Sequence, residues 1–286
     1  MYKIKNTYIN KMISSKLSSR EIDFILYITL YQNDCGTVES VYYKDVCSSL
    51  NISIQSFYNI IERLSNCGLI LCEKPNNADI RITLLNNDFS RLDYKNDSEG
   101  YLNVEKNDFA SDRFKTLKAG SKLLYLYSQR FMNGKHMRLD KFYSDFSDLF
   151  GVTAKSIQLY VHQLKERALL FISRKRNRSY NYEISFKLST VLHRNPIWMK
   201  RENDGYRENM VSLVQNNFRK NLPSNNVKSI LNDIVNSAIS RLGKNNNTAD
   251  IMIQALNRSI NIKVKEGQNK PVLNAALFNK CLCEIV

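Results

Sequence analysis

Residues 151–175 read GVTAKSIQLYVHQLKERALLFISRK, and residues 51–74, NISIQSFYNIIERLSNCGLILCEK, follow the same pattern one hundred positions earlier. In both segments apolar residues recur every three or four positions, which predicts an amphipathic helix. Ser53 and Thr153 stand before these helices, and their side chains can accept a hydrogen bond from a free N–H of the first turn. Gly68 suits the left-handed position at which a helix ends, whereas the second segment has Ala168 there. A short apolar stretch follows each helix and predicts a strand.

The sequence before and after each segment also matches. Residues 18–31 and 118–131 predict a first helix in each copy, and residues 43–50 and 139–150 predict a second, shorter one. After the strand, residues 74–80 and 174–180 predict turns, and residues 81–85 and 182–186 predict return strands. Each copy therefore has the order helix, short helix, capped helix, strand, turn, strand.

This order resembles the winged helix-turn-helix family. The likeness is carried by the capped third helices, by the turns before them and by the basic hairpin of the second copy, over roughly residues 15–85 and 115–187. The resemblance implies a mainly α fold with small β-hairpin wings. It implies two tandem winged-helix domains, residues 1–90 and 113–187, joined by an acidic linker, residues 91–112, and followed by a helical C-terminal domain, residues 188–286.

The positive charge is concentrated on the second copy. The chain of 286 residues has a formal net charge of +15, which favours a polyanionic partner, either nucleic acid or an acidic membrane surface. Residues 113–187 contain 16 Lys and Arg against 5 Asp and Glu, whereas residues 1–90 contain 9 of each kind. Lysine and arginine displace counterions from DNA phosphates and so supply affinity that does not depend on sequence. The pattern predicts that the second copy holds double-stranded DNA.

The resemblance also indicates which side chains would touch DNA, because a winged-helix protein inserts its third helix in the major groove and lays its wing on the backbone or minor groove. Lysine and glutamine can hydrogen-bond base edges, and Lys155, Gln158 and His162 are the predicted base readers. For His162 the alternative of an ordinary exposed helix residue stays open. The predicted phosphate contacts on this helix are Ser156 and Lys165. The predicted minor-groove or phosphate contacts on the wing are Arg174, Lys175, Arg176 and Arg178.

The third helix of the first copy also has a polar face, but residues 1–90 have no net charge. Two roles remain open for this copy, namely weak contact with a second DNA half-site and dimerisation. The candidate DNA contacts here are Gln55, Ser56, Tyr58, Asn59 and Arg63.

Catalysis, metal binding and membrane insertion find little support in the sequence. There is no GxxxxGK[ST] phosphate loop, no HExxH and no His-x-His pair, so we expect no enzyme activity and no cofactor. The six cysteines form no CxxC pair, and we expect them to be reduced and to bind no metal. The sequence shows neither a signal peptide nor an apolar run that could span a membrane, and no small-molecule ligand is evident. We therefore expect a cytoplasmic protein.

The C-terminal third predicts helices near residues 209–217, 227–242 and 251–262, with Pro271 opening a last helix over 272–285. This last helix could pack on its own domain or against a second protomer. Two winged helices followed by a helical tail resemble the replication initiators of plasmids and other mobile elements in low-GC bacteria. A transcription regulator with a C-terminal dimerisation or effector module, and a protein-interaction scaffold, are the alternatives.

Overall fold

A computed structural model describes residues 2–74, 80–90, 100–104, 109–131, 137–167, 169–176, 182–188 and 204–286. The fold is mainly helical with small antiparallel sheets. The described residues divide into two compact units. Unit 1 takes its residues from Met1–Leu30, Tyr58–Leu69 and Asp93–Glu202, and unit 2 takes its residues from Tyr31–Phe57, Ile70–Leu92 and Asn203–Val286.

The helices, in chain order, are α1 (Asn6–Ser14), α2 (Ser19–Thr29), α3 (Tyr43–Leu50), α4 (Ile54–Asn66), α5 (Asp112–Lys115), α6 (Ala119–Ser128), α7 (Leu139–Phe150), α8 (Ala154–Glu166), α9 (Asp204–Asn217), α10 (Val227–Leu242), α11 (Asn247–Lys265) and α12 (Ala275–Ile285). The strands are β1 (Tyr2–Lys5), β2 (Thr37–Val41), β3 (Ile70–Glu73), β4 (Ile80–Leu84), β5 (Tyr101–Val104), β6 (Met137–Arg138), β7 (Leu170–Arg176) and β8 (Tyr182–Leu188). Among the described residues, no helix combines the length and the apolar character that a membrane span requires.

The two sequence copies have the same order of elements and the same order of strands. Each contains three helices and a three-stranded antiparallel sheet, arranged as β2-β4-β3 in the first copy and β6-β8-β7 in the second. The predicted helices and the hairpin strands are present, but β2 and β6, which lie before the second helix of each copy, were not predicted. A further pair, β1 with β5, places a strand inside the segment expected to be a linker.

Unit 1 is held by aromatic side chains and by contacts of α1 with the end of α4. The rings of Phe142 and Phe146 lie 4.4 Å apart, and Tyr127 meets Phe146 edge-on at 5.3 Å. Tyr8 on α1 donates a buried hydrogen bond of 3.0 Å to the carbonyl oxygen of Leu69. Gly68, with φ of +64°, takes the left-handed conformation predicted for it at the end of α4. Helix α1 thus binds a carbonyl group of the short connection between α4 and β3.

Unit 2 contains a helical cluster formed by α9 to α12. Its core is built from aliphatic and aromatic side chains, and α12 contributes Phe278, Cys281 and Leu282, all fully buried. The last helix therefore packs on the other C-terminal helices. It begins later than expected, because Asn274 caps it by accepting a 3.0 Å hydrogen bond from the N–H of Leu277. The proline predicted to open this helix, Pro271, instead accepts a hydrogen bond at its carbonyl oxygen from the side chain of Asn221, which lies between α9 and α10.

Strand β2 joins the sheet of unit 2 to the C-terminal helices through one buried asparagine. The pairing of β2 with β4 shifts register between Val38 and Val41, which leaves Glu39 and Ser40 outside the regular ladder. The Asn209 Oδ1 atom on α9 accepts hydrogen bonds from the N–H groups of Glu39 and Ser40, at 3.1 and 3.3 Å. The Asn209 amide donates to the carbonyl oxygen of Ser40. A single side chain thus supplies the partners that a buried backbone irregularity requires.

Charged and polar groups make two further contacts between the same sheet and the C-terminal helices. Arg81 on β4 lies between two carboxylates, with Nε 2.8 Å from Glu39 Oε2 and Nη2 3.0 Å from Asp250 Oδ1. The Asn33 side chain accepts from the N–H of Thr37 at the start of β2 and donates to Asn246 Oδ1 at 3.2 Å. These contacts fix α11 and the segment before it against β2 and β4.

Replacing Asn209 by alanine should lower the free energy of unfolding by about 2–3 kcal/mol, because buried N–H groups of β2 would lose their acceptor. Urea unfolding followed by circular dichroism measures this change. Gln215→Ala, an exposed substitution on the same helix, should change stability by less than about 0.5 kcal/mol. Equal stabilities of the two variants would show that β2 does not depend on Asn209.

The stability of unit 2 should fall as the pH rises from about 4.5 to about 7. Burial raises the pKa of Glu39 from 4.5 to about 7, although Arg81 beside it opposes the shift. Between these two values the folded chain keeps a proton on Glu39 that the unfolded chain has already lost. The stabilisation that this proton gives is complete below the pKa of Glu39 in the unfolded chain, and it is lost as the pH rises through the pKa in the folded chain. Glu39→Gln should flatten the pH dependence of the unfolding free energy by about 1–3 kcal/mol over this window. Parallel curves for the two proteins, measured by urea unfolding, would contradict this assignment.

Candidate nucleic-acid interface

Helix α8 begins at a tight turn that follows α7. Gly151 stands between the two helices with φ of +58°, a conformation that glycine adopts without steric cost. Thr153 then caps α8, its side chain accepting a 3.3 Å hydrogen bond from the N–H of Ser156. The first copy is built in the same way, since Ser53 accepts from the N–H of Ser56 at 3.1 Å. The predicted caps of both third helices are confirmed.

One face of α8 packs into unit 1, and its other face is exposed. Ile157, Val161 and Leu164 are buried at helical spacing. The exposed face carries most of the predicted DNA contacts on this helix, namely Lys155, Gln158, His162 and Lys165. Ser156 is half-buried, with its Oγ atom 3.1 Å from Thr153 Oγ1 as part of the cap. The face is therefore available to a partner while the opposite side anchors the helix.

Two contacts hold α8 against α6. The Oε1 atom of Gln163 accepts from the Ser121 hydroxyl at 2.6 Å and from the N–H of Lys118 at 3.2 Å. Gly120 makes room for Tyr160, since a Cβ atom at this glycine would lie 2.2 Å from Cζ of the tyrosine ring. Gln163 belongs to the polar residues of α8 in sequence, yet it acts inside the protein by completing the first turn of α6.

Further exposed cations, which the sequence pattern did not single out, lie at the start of α6, on α5 and after α8. Lys118 is exposed, and the hydrogen bond from its N–H to Gln163 places its backbone beside α8. Arg113 and Lys115 on α5 and Arg167 after α8 are exposed as well. The excess of Lys and Arg in residues 113–187 was the available signal, but periodicity alone did not show that the start of α6 reaches α8.

His162 has an acidic neighbour. Its Nδ1 atom lies 3.4 Å from Glu166 Oε2, one helical turn further on, and both side chains are largely exposed. A carboxylate on this face would repel phosphates, so His162 is a weaker candidate for DNA contact than Lys155 or Gln158.

The predicted wing is a two-stranded ribbon. Arg174, Lys175 and Arg176 lie within β7, where they pair with Ile184, Glu183 and Tyr182 of β8. Residues 174–176 therefore belong to the strand and not to the turn predicted over 174–180, and residues 177–181 lie outside the described part of the structure. The side chains of these three residues, and Arg178 as a whole, lie outside the described part of the structure.

The third helix of the first copy, α4, presents a different face. Gln55, Tyr58, Asn59 and Arg63 are exposed and Ser56 is half-buried, so the predicted residues lie on its accessible side. Arg63, however, is engaged within unit 1, with Nε 2.9 Å from Glu21 Oε1. The exposed side of α4 also carries Glu62. Its capacity to attract phosphate is accordingly lower than that of α8.

Within the described ranges, no group of three or more His, Cys, Asp or Glu side chains is arranged to hold a metal ion. Comparisons with protein-family models, with curated proteins and with solved structures give no match.

Helix α6, on which α8 rests, is joined to α2 by a buried ion pair. Lys122 Nζ lies 2.5 and 2.7 Å from the two carboxylate oxygens of Asp23, and the lysine side chain is inaccessible to solvent. Burial lowers the pKa of Lys122 and raises the pKa of Asp23, while their attraction opposes both shifts. The pair fixes how α2 and α6 meet, and through α6 it supports α8.

Replacing Lys122 by methionine should lower the free energy of unfolding by about 3–5 kcal/mol, because the Asp23 carboxylate would remain largely buried without its cation. The double variant Asp23→Leu, Lys122→Met should regain most of this loss, since two apolar side chains can pack where the ion pair stood. Urea unfolding of the wild type and the three variants (two single and one double) measures the coupling. A double variant as unstable as Lys122→Met would show that the methionine disturbs packing and that the ion pair is not the cause.

Proposed function

We propose that the chain binds double-stranded DNA, with α8 in the major groove and the β7–β8 ribbon on the phosphate backbone. The observation that carries this proposal is the division of α8 into two faces. Its apolar face is anchored in unit 1, and its exposed face offers Lys155, Gln158 and Lys165. Lysine and glutamine are the side-chain types that donate to base edges and phosphates.

The arrangement of the two copies supports a tandem winged-helix interpretation. Each copy has a capped third helix followed by an antiparallel hairpin, and each hairpin pairs with a short strand that precedes the second helix. In the winged-helix family this geometry leaves the third helix exposed next to the wing. The proposal assigns DNA binding to the second copy because it carries 16 Lys and Arg against 5 Asp and Glu.

The first copy has a second candidate function, contact with another protein chain. On α4, Ile54 is 52% exposed and Tyr58, one turn later, is 40% exposed. Large apolar side chains at neighbouring exposed positions favour burial against a partner. Arg63 is held by Glu21, so this face lacks an uncommitted cation at that position. We propose that α4 mediates homodimerisation, which would present two copies of α8 to DNA.

The biological role that fits these parts is replication initiation on a mobile element, and transcription regulation is the alternative. This narrower proposal rests on the resemblance in sequence. The position of the bound sites separates the two roles. Repeated sites beside the gene for this chain, next to an AT-rich segment, favour initiation, whereas sites that overlap promoters of other genes favour regulation.

The salt dependence of binding to random duplex DNA tests the proposal. The wild type should bind with an affinity that falls steeply as salt rises, and the slope should decrease by about one for each phosphate contact removed. Two variants remove the proposed contacts, namely Arg174→Glu, Lys175→Glu, Arg176→Glu in the ribbon and Lys155→Ala, Lys165→Ala on α8. Both should flatten the slope, the first by about three and the second by up to about two.

A matched control separates local contacts from overall charge. Lys265, Lys270 and Lys280 are exposed cations of the C-terminal helices and the loop between them. Changing all three to glutamate alters the net charge as much as the ribbon variant does, and it should leave the slope close to that of the wild type. Absence of wild-type binding at about 50 mM salt, where phosphate contacts are strong, would rule out DNA binding and leave the interaction scaffold.

A further inference from the structure

Helix α8 exposes a large apolar side chain in the middle of its polar face. Leu159 is 62% exposed, and among the residues whose side chains the structure describes only Val286 is a more exposed large apolar residue. The apolar side of the helix is already complete, because Ile157, Val161 and Leu164 are buried in unit 1. Leu159 therefore contributes little to the core.

The neighbours of Leu159 are the residues proposed to meet DNA. Lys155 precedes it by four positions and His162 follows it by three, so the three side chains lie on one side of the helix. Gln158 is adjacent in sequence and also exposed. Lys165 and Arg167 add exposed cations towards the end of the helix. The exposed side of the helix also carries Glu166, whose Oε2 atom lies 3.4 Å from Nδ1 of His162. Lys155, Lys165 and Arg167 outnumber this carboxylate, so Leu159 stands on a surface with an excess of positive charge, which favours a polyanionic partner over an apolar protein surface.

The first copy shows that this position does not need an apolar residue for folding. Asn59 is one hundred positions earlier, on the exposed side of α4, and α4 forms the same capped helix with a polar residue there. The repeated fold therefore does not require Leu159, and we attribute the leucine to the exposed face of α8.

We infer that Leu159 packs against the C5-methyl group of thymine and that Gln158 pairs with adenine, so that α8 selects A·T base pairs. The thymine methyl is the apolar group that a base pair of unmodified DNA presents in the major groove, where an apolar side chain can cover it. Glutamine matches the N6 and N7 atoms of adenine with a donor and an acceptor. This inference rests on the proposed function, since it assigns a base preference to the same helix.

Selection from random duplex libraries made with dTTP or with dUTP tests this specificity, because uracil lacks only the C5-methyl group. The wild type should enrich sites containing A·T pairs from the thymine library. Replacing single thymines of the enriched site by deoxyuridine should weaken binding about four-fold at the contacted position, the factor that corresponds to burial of one methyl group. Equal affinities for thymine and uracil at every position would overturn the inference.

A cycle of protein and DNA changes identifies the residue responsible. Leu159→Ala should bind the thymine and uracil forms of the site with nearly equal affinity, and Leu159→Asn, which copies the first repeat, should do the same. Neither substitution changes the charge of the chain, so both variants should bind random duplex DNA with the wild-type salt slope. Because the side chain is exposed, the free energy of unfolding of both variants should stay within about 0.5 kcal/mol of the wild type. A four-fold preference for thymine that persists in both variants would assign the methyl contact elsewhere.

The controls keep the inference distinct from the proposed function. Asn59→Ala, at the equivalent position of α4, should preserve the thymine preference. If the wild type binds random duplex DNA with a steep salt dependence but enriches no A·T-containing site, DNA binding stands and the role of Leu159 is wrong. If the wild type binds no DNA, both proposals fail together.

Discussion

The register shift in strand β2 leaves buried backbone groups that need hydrogen-bond partners, and the C-terminal helices of unit 2 supply them. The shift leaves Glu39 and Ser40 outside the regular pairing with β4, in a strand whose residues are all buried. Buried backbone groups need partners, and Asn209 provides them. The helix that carries Asn209 is in turn fixed by the C-terminal core, and Arg81 adds an ionic contact with α11. The C-terminal helices are therefore part of the structural support of the sheet.

Polar residues serve two purposes along α8, and their positions on the helix decide which. Gln163 lies beside the buried stripe and completes the first turn of α6, whereas Lys155 and Gln158 lie on the open side. Arg63 on α4 likewise has an internal partner, because its Nε atom contacts the buried carboxylate of Glu21. The two repeats share a backbone design, but the side chains they leave accessible differ in charge.

The sequence predicted those elements whose signal is local. Apolar spacing and caps located α4 and α8, because each helix buries one stripe and begins at a Ser or Thr. Strand β2 escaped prediction because its polar residues Glu39 and Ser40 are buried through distant partners, Arg81 and Asn209, which no local pattern reveals. Strand β6 has two residues and is too short to show an alternation of apolar and polar residues. Helical spacing was enough to predict which side chains of α8 are exposed. The position of Lys118 beside α8 could not be predicted, because it depends on the packing of α6 against α8.

The discontinuity of unit 2 along the chain bears on how the protein is made. A ribosome produces the strands of its sheet early and Asn209 more than one hundred residues later. Until α9 emerges, the edge of β2 offers unpaired backbone groups of the kind that other chains can add to as strands. Domains that require distant segments fold late and expose aggregation-prone surface in the meantime. Between synthesis of β4 and synthesis of α9, the edge of β2 therefore lacks the asparagine that pairs with it in the folded protein.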